Sequence, residues 1–210
     1  MSTTDPGHTL ANTDDRSGPL EREVMWTGIG GQGVQLAARI LALAATHDGR
    51  EVMSLGTYGG TMRGGNTDAT VVVANAPIDS PPMVSKAWAA IVVHPRFFEP
   101  FAPRLRAQGV VFADADLLEE PLPETRAELV GIDATRRARE AEAPKAAALV
   151  LLGAFARATG LVTPEALDAA LAESLPSYRR HFLEANRRAL AIGAEAVAPD
   201  SWPAWRAVTA

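Results

Sequence analysis

The chain contains no cysteine among its 210 residues. This absence excludes disulfide bonds, a thiol nucleophile and the thiolate ligands of an iron–sulfur cluster. If the chain takes part in redox chemistry, the electrons must therefore travel through another component. The histidines stand far apart, with no short metal-ligand spacing, so the sequence predicts no metal site. They are His8, His47, His94 and His181.

Long apolar runs and basic clusters are also lacking. No uninterrupted apolar segment approaches the roughly 20 residues that a membrane-spanning helix needs. The N-terminus does not show the charged and then apolar pattern of a signal peptide. The formal net charge is −5 and no basic cluster with interleaved aromatic residues is present, which excludes the nucleic-acid-binding class. We therefore expect a cytoplasmic protein whose partners are neither membranes nor nucleic acids.

What the sequence does have is a glycine-rich turn between an apolar run and an Ala/Leu-rich segment. The run 24–27 is followed by Gly28, Gly30 and Gly33 in a G-x-G-x-x-G arrangement. Such glycines let a strand turn sharply into a helix and bring backbone N–H groups close to a ligand. The start of the helix would suit an anion, because its first N–H groups are unpaired. The same glycines could instead serve tight strand–helix packing or the close approach of another protein chain.

The sequence predicts an α/β fold: a Rossmann-like, mostly parallel sheet with flanking helices and a C-terminal helical segment. We interpret residues 1–21 as a disordered tail, 22–197 as one domain that is helical from about 144, and 198–210 as a C-terminal tail. The two tryptophans of that tail could dock on the body or on a partner, or the tail could be frayed. The expected strands are 24–27, 51–55, 67–74, 87–93, 109–114 and 128–132; the expected helices are 32–47, 96–108, 146–160, 164–174 and 176–197.

A second glycine-rich loop, residues 56–66, follows the second predicted strand and contains Arg63 between glycines. In a parallel β-α-β unit the loops after the first two strands leave the same sheet edge, so we expect the two glycine loops to lie near each other. Arg63 is either a solvated side chain or a cation that reaches a phosphate, a carboxylate or an acidic partner. His94, at a strand end near this edge, is more often structural than catalytic.

The sequence lacks the sets of residues that a catalytic site needs. An NAD-binding unit has an acid at the end of its second strand for the ribose hydroxyls, and residues 53–57 contain none. Ser54, Thr57 and Arg63 could suit a 2′-phosphate, so NADP stays open. There is no nucleophile elbow, no P-loop, no Ser/His/Asp set and no convincing carboxylate pair. This pattern favours a component of a larger assembly.

The combination of motifs points further than the glycines alone. The relevant segments are Gly28-Ile29-Gly30-Gly31-Gln32-Gly33-Val34, Ser54-x-Gly56-x-Tyr58-Gly59, Met62-Arg63-Gly64-Gly65, Pro77-Ile78-Asp79-Ser80-Pro81, Gly153 and Asn186…Gly193. Over residues 23–197 they resemble the gamma subunit of the 2-oxoacid:ferredoxin (acceptor) oxidoreductases, which act on pyruvate, 2-ketoisovalerate, 2-oxoglutarate or aryl 2-oxoacids. The resemblance implies a Rossmann-like subunit of a complex that converts a 2-oxoacid and coenzyme A to acyl-CoA and carbon dioxide.

The resemblance also implies a division of labour. Thiamine diphosphate, Mg²⁺ and the iron–sulfur clusters would sit on partner subunits, namely thiamine-binding alpha/beta subunits and an iron–sulfur subunit, and electrons would pass to ferredoxin or a similar acceptor. This chain would bind no cofactor alone and carry no catalytic residue, but would pack on the catalytic subunits and help to enclose coenzyme A as co-substrate. The site residues it implies are Gly28, Gly30, Gly31, Gln32 and Gly33 in one loop, and Tyr58, Arg63, Gly64 and Gly65 in the other.

Two other functions stay open on the sequence alone. One is a free-standing NADP-binding Rossmann reductase or sensor, which would be stable alone and bind the nucleotide. The other is a pure scaffold, in which neither glycine loop touches a ligand.

Overall fold

A computed structural model describes residues 19–58, 64–78 and 84–205. The chain forms one six-stranded sheet with helices packed on it. The strands are β1 (Glu21–Ile29), β2 (Glu51–Tyr58), β3 (Asn66–Ala74), β4 (Ala87–Val92), β5 (Leu105–Asp114) and β6 (Glu128–Ile132). The helices are α1 (Val34–His47), α2 (Ala134–Glu140), α3 (Ala147–Thr159), α4 (Pro164–Ser174) and α5 (Leu183–Ala194). Among the described residues, no helix is long and apolar enough to cross a bilayer.

The sheet order is β2-β3-β1-β4-β5-β6. β1, β4, β5 and β6 pair in parallel, whereas β3 pairs antiparallel with both β1 and β2. The prediction of an α/β fold with a mostly parallel sheet is confirmed. The β1-α1-β2 unit differs from the expected one, because β3 returns from β2 and occupies the place between β1 and β2. β1 and β2 still run in the same direction, so the segments that follow them leave the same edge of the sheet.

The core lies mainly on one face of the sheet. There the buried side chains of α1 and α3 pack on the inward residues of the strands, such as Val24, Trp26, Val71, Ile91 and Phe112, and α4 packs on α1. The opposite face carries a smaller cluster around Met25 and Val92, covered by Phe98 and Phe101. α3 is buried along nearly its whole length, which agrees with a sequence whose only charged residue is Arg157.

The residues that begin and end the helices adopt the conformations that the sequence predicts. Gly33 precedes α1, and Gly160 ends α3 in the left-handed conformation with φ +58°. At the start of α4 the Thr163 hydroxyl accepts a hydrogen bond from the Ala166 N–H at 3.2 Å, and Pro164 occupies the first turn. These are the residue types that cap helices by satisfying terminal backbone groups.

The predicted helix at 96–108 is wrong. The segment forms two short 3₁₀ turns, Pro95–Phe97 and Ala102–Arg104, and β5 begins at Leu105. Prolines at 95, 100 and 103 remove backbone donors that a continuous helix would need. The predicted last helix, 176–197, is also divided, because Ser177–Phe182 forms an exposed 3₁₀ segment before α5 begins.

The C-terminal tail docks on the body as far as residue 205. The N–H groups of Asp200, Trp202 and Ala204 donate to the last three carbonyls of α3, at 3.2, 2.9 and 2.8 Å. The Trp202 ring meets Phe112 edge-on with centroids 6.0 Å apart, and its Nε1 donates to Glu128 at 3.0 Å. The tail therefore supplies the hydrogen bonds that the end of a helix otherwise lacks.

The same tail reaches the beginning of two strands. Arg22 of β1 donates through Nε to the carbonyl of Ala204, which is fully buried. The guanidinium of Arg50, which precedes β2, lies 4.1 Å from the centre of the Trp205 ring. The tail thus crosses the sheet edge opposite the glycine loops.

Candidate functional site

The first glycine loop, residues 28–33, is held by the side chain of Gln32. The Ile29 N–H donates to Gln32 Oε1 at 2.8 Å, and the Gln32 N–H donates back to the Ile29 carbonyl at 3.1 Å. Gly31 and Gly33 have φ of +102° and +84°, where only glycine is unstrained. Gln32 therefore fixes the shape of the loop, and its side-chain oxygen is already engaged.

Gly28 permits close packing between β1 and α1. A Cβ at this position would lie 2.8 Å from Val34 Cγ2 and 3.2 Å from Val93 Cβ. The residue is buried on the helix-covered face of the sheet. Of the predicted site residues, Gly28 is thus the one whose role in this fold is strand–helix packing.

The two glycine loops meet. The Gly30 N–H donates to the Gly65 carbonyl at 2.9 Å, and a Cβ on Gly30 would lie 3.3 Å from Thr67 Oγ1. Gly64 is exposed with φ +78°. The predicted proximity of the loops is therefore confirmed, although the hairpin between β2 and β3 brings it about. Tyr58 is the last residue of β2 and pairs with Thr67.

Arg63 lies outside the described residues. Its predicted contact with an anion or an acidic partner remains a prediction.

Two helices begin at the first loop. A Cβ on Gly33, which precedes α1, would lie 3.9 Å from the Ala148 Cβ in the first turn of α3 and 4.0 Å from the Lys145 carbonyl. Neither helix has a side-chain cap, and neither carries an acid in its first turn. The first N–H groups of both helices, which lack a side-chain cap from the residue before each helix, and the positive ends of two helix dipoles therefore meet at this edge, which favours a negatively charged group.

Sequence reasoning missed a polar cluster at the same edge, on the opposite face of the sheet. It consists of Thr27, Asn66 and Asp68, where Thr27 pairs with Asp68 across the strands. The Asn66 amide donates to Asp68 Oδ2. Burial raises the pKa of the Asp68 carboxyl, and hydrogen bonds from Thr27 and Asn66 lower it in part. The signal was available, because Asp68 interrupts the apolar pattern of a buried strand.

The titratable groups at the ends of β4 and β5 have structural partners. His94 Nδ1 accepts the Arg96 N–H at 3.2 Å and so caps the turn that follows β4. Burial, followed by the charge of Arg96, lowers the pKa of His94. Asp114 accepts from the Ala134 N–H at 3.0 Å and the Thr135 hydroxyl at 2.6 Å, and burial raises its pKa. His94 therefore stabilises the turn after β4, and Asp114 stabilises the turn after β5 and the start of α2.

The site can hold a ligand or another chain, and its residues offer no complete set for turnover. In the part of the chain that the structure describes, no group of three or more His, Asp or Glu residues could hold a metal ion. The cysteine-free chain has no thiolate for an iron–sulfur cluster. What the edge offers is backbone N–H groups, two helix N-termini and the half-buried carboxyl of Asp68.

Comparison with known proteins decides the family. The family model described as pyruvate ferredoxin/flavodoxin oxidoreductase matches residues 23–196. The chain belongs to this family. Apart from the first two residues of β1, the match contains the six strands and five helices of the described part of the chain, together with both glycine loops, and it ends just before the docked tail.

Similar proteins within the family are complex subunits. The 2-oxoglutarate synthase subunit KorC of Methanocaldococcus jannaschii is 32% identical over 160 residues, which are 75% of this chain and 85% of that protein. The pyruvate/ketoisovalerate oxidoreductases common subunit gamma of Pyrococcus furiosus is 30% identical over 158 residues, 72% of this chain and 85% of its own.

A solved structure gives the same result. The gamma subunit of the keto/oxoacid ferredoxin oxidoreductase of Geobacter sulfurreducens has a TM-score of 0.70 and 28% identity, and the likeness covers 83% of this chain and 97% of that one. The prediction of a gamma subunit of a 2-oxoacid:ferredoxin oxidoreductase is confirmed. The alternative of a free-standing NADP-binding protein has no support among these comparisons.

Proposed function

We propose that this chain packs on the thiamine-diphosphate-binding subunits of its complex and that its two glycine loops help to close the coenzyme A site. The complex would oxidatively decarboxylate a 2-oxoacid to acyl-CoA and carbon dioxide and pass the electrons to ferredoxin or a similar acceptor. Thiamine diphosphate, Mg²⁺ and iron–sulfur clusters would belong to the partner subunits. The lack of cysteine supports that assignment for the clusters.

One observation carries the proposal for the loops. The first loop, joined to the second by the Gly30–Gly65 hydrogen bond, lies where α1 and α3 both begin without side-chain caps. Coenzyme A carries phosphate groups, and the uncapped N-terminus of a helix stabilises such groups through its N–H donors and its dipole. Because no acid lies in either first turn, no carboxylate of these helices opposes an approaching phosphate.

The chain offers a matched pair of variants for the test. Gly31 and Gly49 both have positive φ, +102° and +70°, and a Cβ on either meets no atom within 4 Å in the described part of the chain. Asn is the side chain that tolerates the left-handed region best. Gly31→Asn and Gly49→Asn therefore each place a side chain at a position of positive φ, one at the site edge and the other at the opposite end of α1.

Each variant is to be purified in its complex under anaerobic conditions and assayed by 2-oxoacid-dependent dye reduction. We expect Gly31→Asn to raise the KM for coenzyme A about tenfold or more, with the KM for the 2-oxoacid unchanged, and Gly49→Asn to leave both unchanged. If Gly31→Asn alters assembly but not coenzyme A dependence, the chain is a scaffold at this edge. If the two variants behave alike, the loop assignment is wrong.

A further inference from the structure

A cavity lies far from the glycine loops, between α3, α4, α5 and the docked tail. Its volume is about 410 Å³, which is within the range of small-molecule sites, roughly 300–1,000 Å³. The walls are mostly apolar, formed by Val162, Pro164, Leu167, Leu190, Ala191 and Pro199. Small residues of α3 and α5 leave the space open. Part of the wall, Pro199 and Asp200, belongs to the tail. These residues lie beyond residue 196, where the match to the family model ends.

Four charged residues line this cavity, and two of them are already paired. Arg187 binds Asp168 through two hydrogen bonds of 2.6 and 2.9 Å. Arg157 and Asp200 are exposed, and neither side chain has a hydrogen-bond or ion-pair partner among residues 19–58, 64–78 and 84–205. One free cation and one free carboxylate are therefore left at the rim.

The two residues are joined through the backbone. The Asp200 N–H donates to the Arg157 carbonyl at 3.2 Å. Asp200 Oδ1 lies 3.0 Å from the place that a Cβ would take on Gly160, so the glycine provides room for this carboxylate. A ligand that uses both charges must itself carry an anion and a cation.

We propose that this cavity binds an α-amino acid with a large apolar side chain. The ligand carboxylate pairs with the Arg157 guanidinium, which suits carboxylates because its N–H donors form a planar fork. The ligand ammonium pairs with Asp200, and the apolar side chain enters between Leu167 and Leu190. The four lining charges sum to zero, which matches a zwitterion better than a ligand with net charge.

This inference goes beyond the proposed function and does not depend on it. An α-amino acid and a 2-oxoacid of the same skeleton differ by exchange of an amino group for an oxo group. In a subunit of this family, such a site would respond to the compound from which an amino-transfer reaction supplies a 2-oxoacid.

The test is isothermal titration calorimetry of the full chain with L-phenylalanine and L-leucine. We expect a dissociation constant of about 1 mM or tighter for at least one of them. Phenethylamine lacks the carboxylate and 3-phenylpropionate lacks the ammonium, so both should bind at least tenfold more weakly than phenylalanine. Arg157→Gln and Asp200→Asn should each weaken phenylalanine binding about tenfold or more, since each removes one charged hydrogen-bond partner.

Three further variants complete the test. Arg39→Gln and Glu99→Gln change exposed charges outside the cavity and should leave binding unchanged. Ala191 is exposed on α5, so Ala191→Phe can fill the cavity without disturbing the core and should abolish binding. The proposal is overturned if neither amino acid binds the wild type, or if Arg157→Gln and Asp200→Asn bind as tightly as the wild type. If phenethylamine and 3-phenylpropionate bind as tightly as phenylalanine, the cavity is only an apolar patch, and the proposal is overturned as well.

Discussion

Where α3 and α5 cross, a glycine-to-alanine change, which usually stabilises a helix, should instead lower the stability of the protein. Replacing a helical glycine by alanine ordinarily adds about 1 kcal/mol to the free energy of unfolding, because glycine loses more backbone entropy. A Cβ on Gly153 of α3, however, would overlap the carbonyl oxygen of Leu190 and lie 2.8 Å from its carbonyl carbon. Gly193 of α5 is in the reciprocal position against Val150.

The magnitude follows from these contacts. Carbon atoms pack at about 3.5–4.0 Å, so the helices must separate by about 1 Å to admit the methyl group. Overpacking of this kind costs about 1–3 kcal/mol or more when backbone has to move. Because the obstacle is backbone on both helices, a side-chain rotation cannot relieve it. We expect Gly153→Ala to lower the free energy of unfolding by about 2 kcal/mol after the propensity gain is included.

Urea unfolding of the full chain, followed by far-UV circular dichroism, measures this change. With a denaturant slope of about 2–3 kcal/mol/M, the midpoint should fall by about 0.7–1 M. Gly131→Ala is the control, since its Cβ would meet Ala115 Cβ at an ordinary 3.5 Å. The double variant Gly153→Ala/Gly193→Ala should cost less than the sum of the single changes, because the first separation makes room for the second methyl group. A midpoint for Gly153→Ala equal to or above that of the wild type would refute the close-crossing argument.

Three other changes test the tail and the half-buried carboxyl of Asp68. Trp202→Ala removes the ring that packs on Phe112 and donates to Glu128; we expect it to lower the free energy of unfolding by about 2–3 kcal/mol, and to expose the tail to limited proteolysis. Trp205→Ala removes the contact with Arg50 and a partly buried ring that packs on the core, so by the same urea titration we expect a smaller loss, about 1–2 kcal/mol. Burial raises the pKa of Asp68, so the stability that this group contributes is greatest when it is protonated and falls as the pH rises through its folded pKa. Asp68→Asn should therefore gain stability relative to the wild type between pH 4 and pH 7, with Glu99→Gln as the exposed control; a constant difference across that range would contradict the buried charge.

The sequence alone predicted the elements whose signals are local. Gly33 and Gly49 bracket α1, and Thr163-Pro164 marks the start of α4, because caps and positive-φ positions depend on a few adjacent residues. The two glycine loops could be located for the same reason, and their proximity followed from the expectation that β1 and β2 run in the same direction. The combination of these loops with the motifs at 77–81, 153 and 186–193 sufficed for the family.

Features that depend on distant partners could not be predicted. The place of β3 between β1 and β2 is set by strand pairing over the whole sheet, and nothing near Asn66 specifies it. The segment 96–108 was predicted to be a helix, whereas Phe98, Phe101 and Leu105 pack in the cluster of Met25 and Val92 from two short turns and the start of β5. The sequence shows Asp68 as a polar residue in an apolar strand, but it does not show that Thr27, on another strand, lies beside it.

The docked tail has a consequence for how the chain folds during synthesis. Its three N–H groups pair with the last three carbonyls of α3 and its Ala204 carbonyl accepts from Arg22, so residues 22 and 204 lie together. In a nascent chain that does not yet reach Ala204, those carbonyls lack these partners, and the docked arrangement forms only once residues 200–204 have left the ribosome. Because residues 22 and 204 lie together, a circular permutant in which a linker joins residues 19 and 205, and which is reopened at an exposed turn, should keep the same sheet.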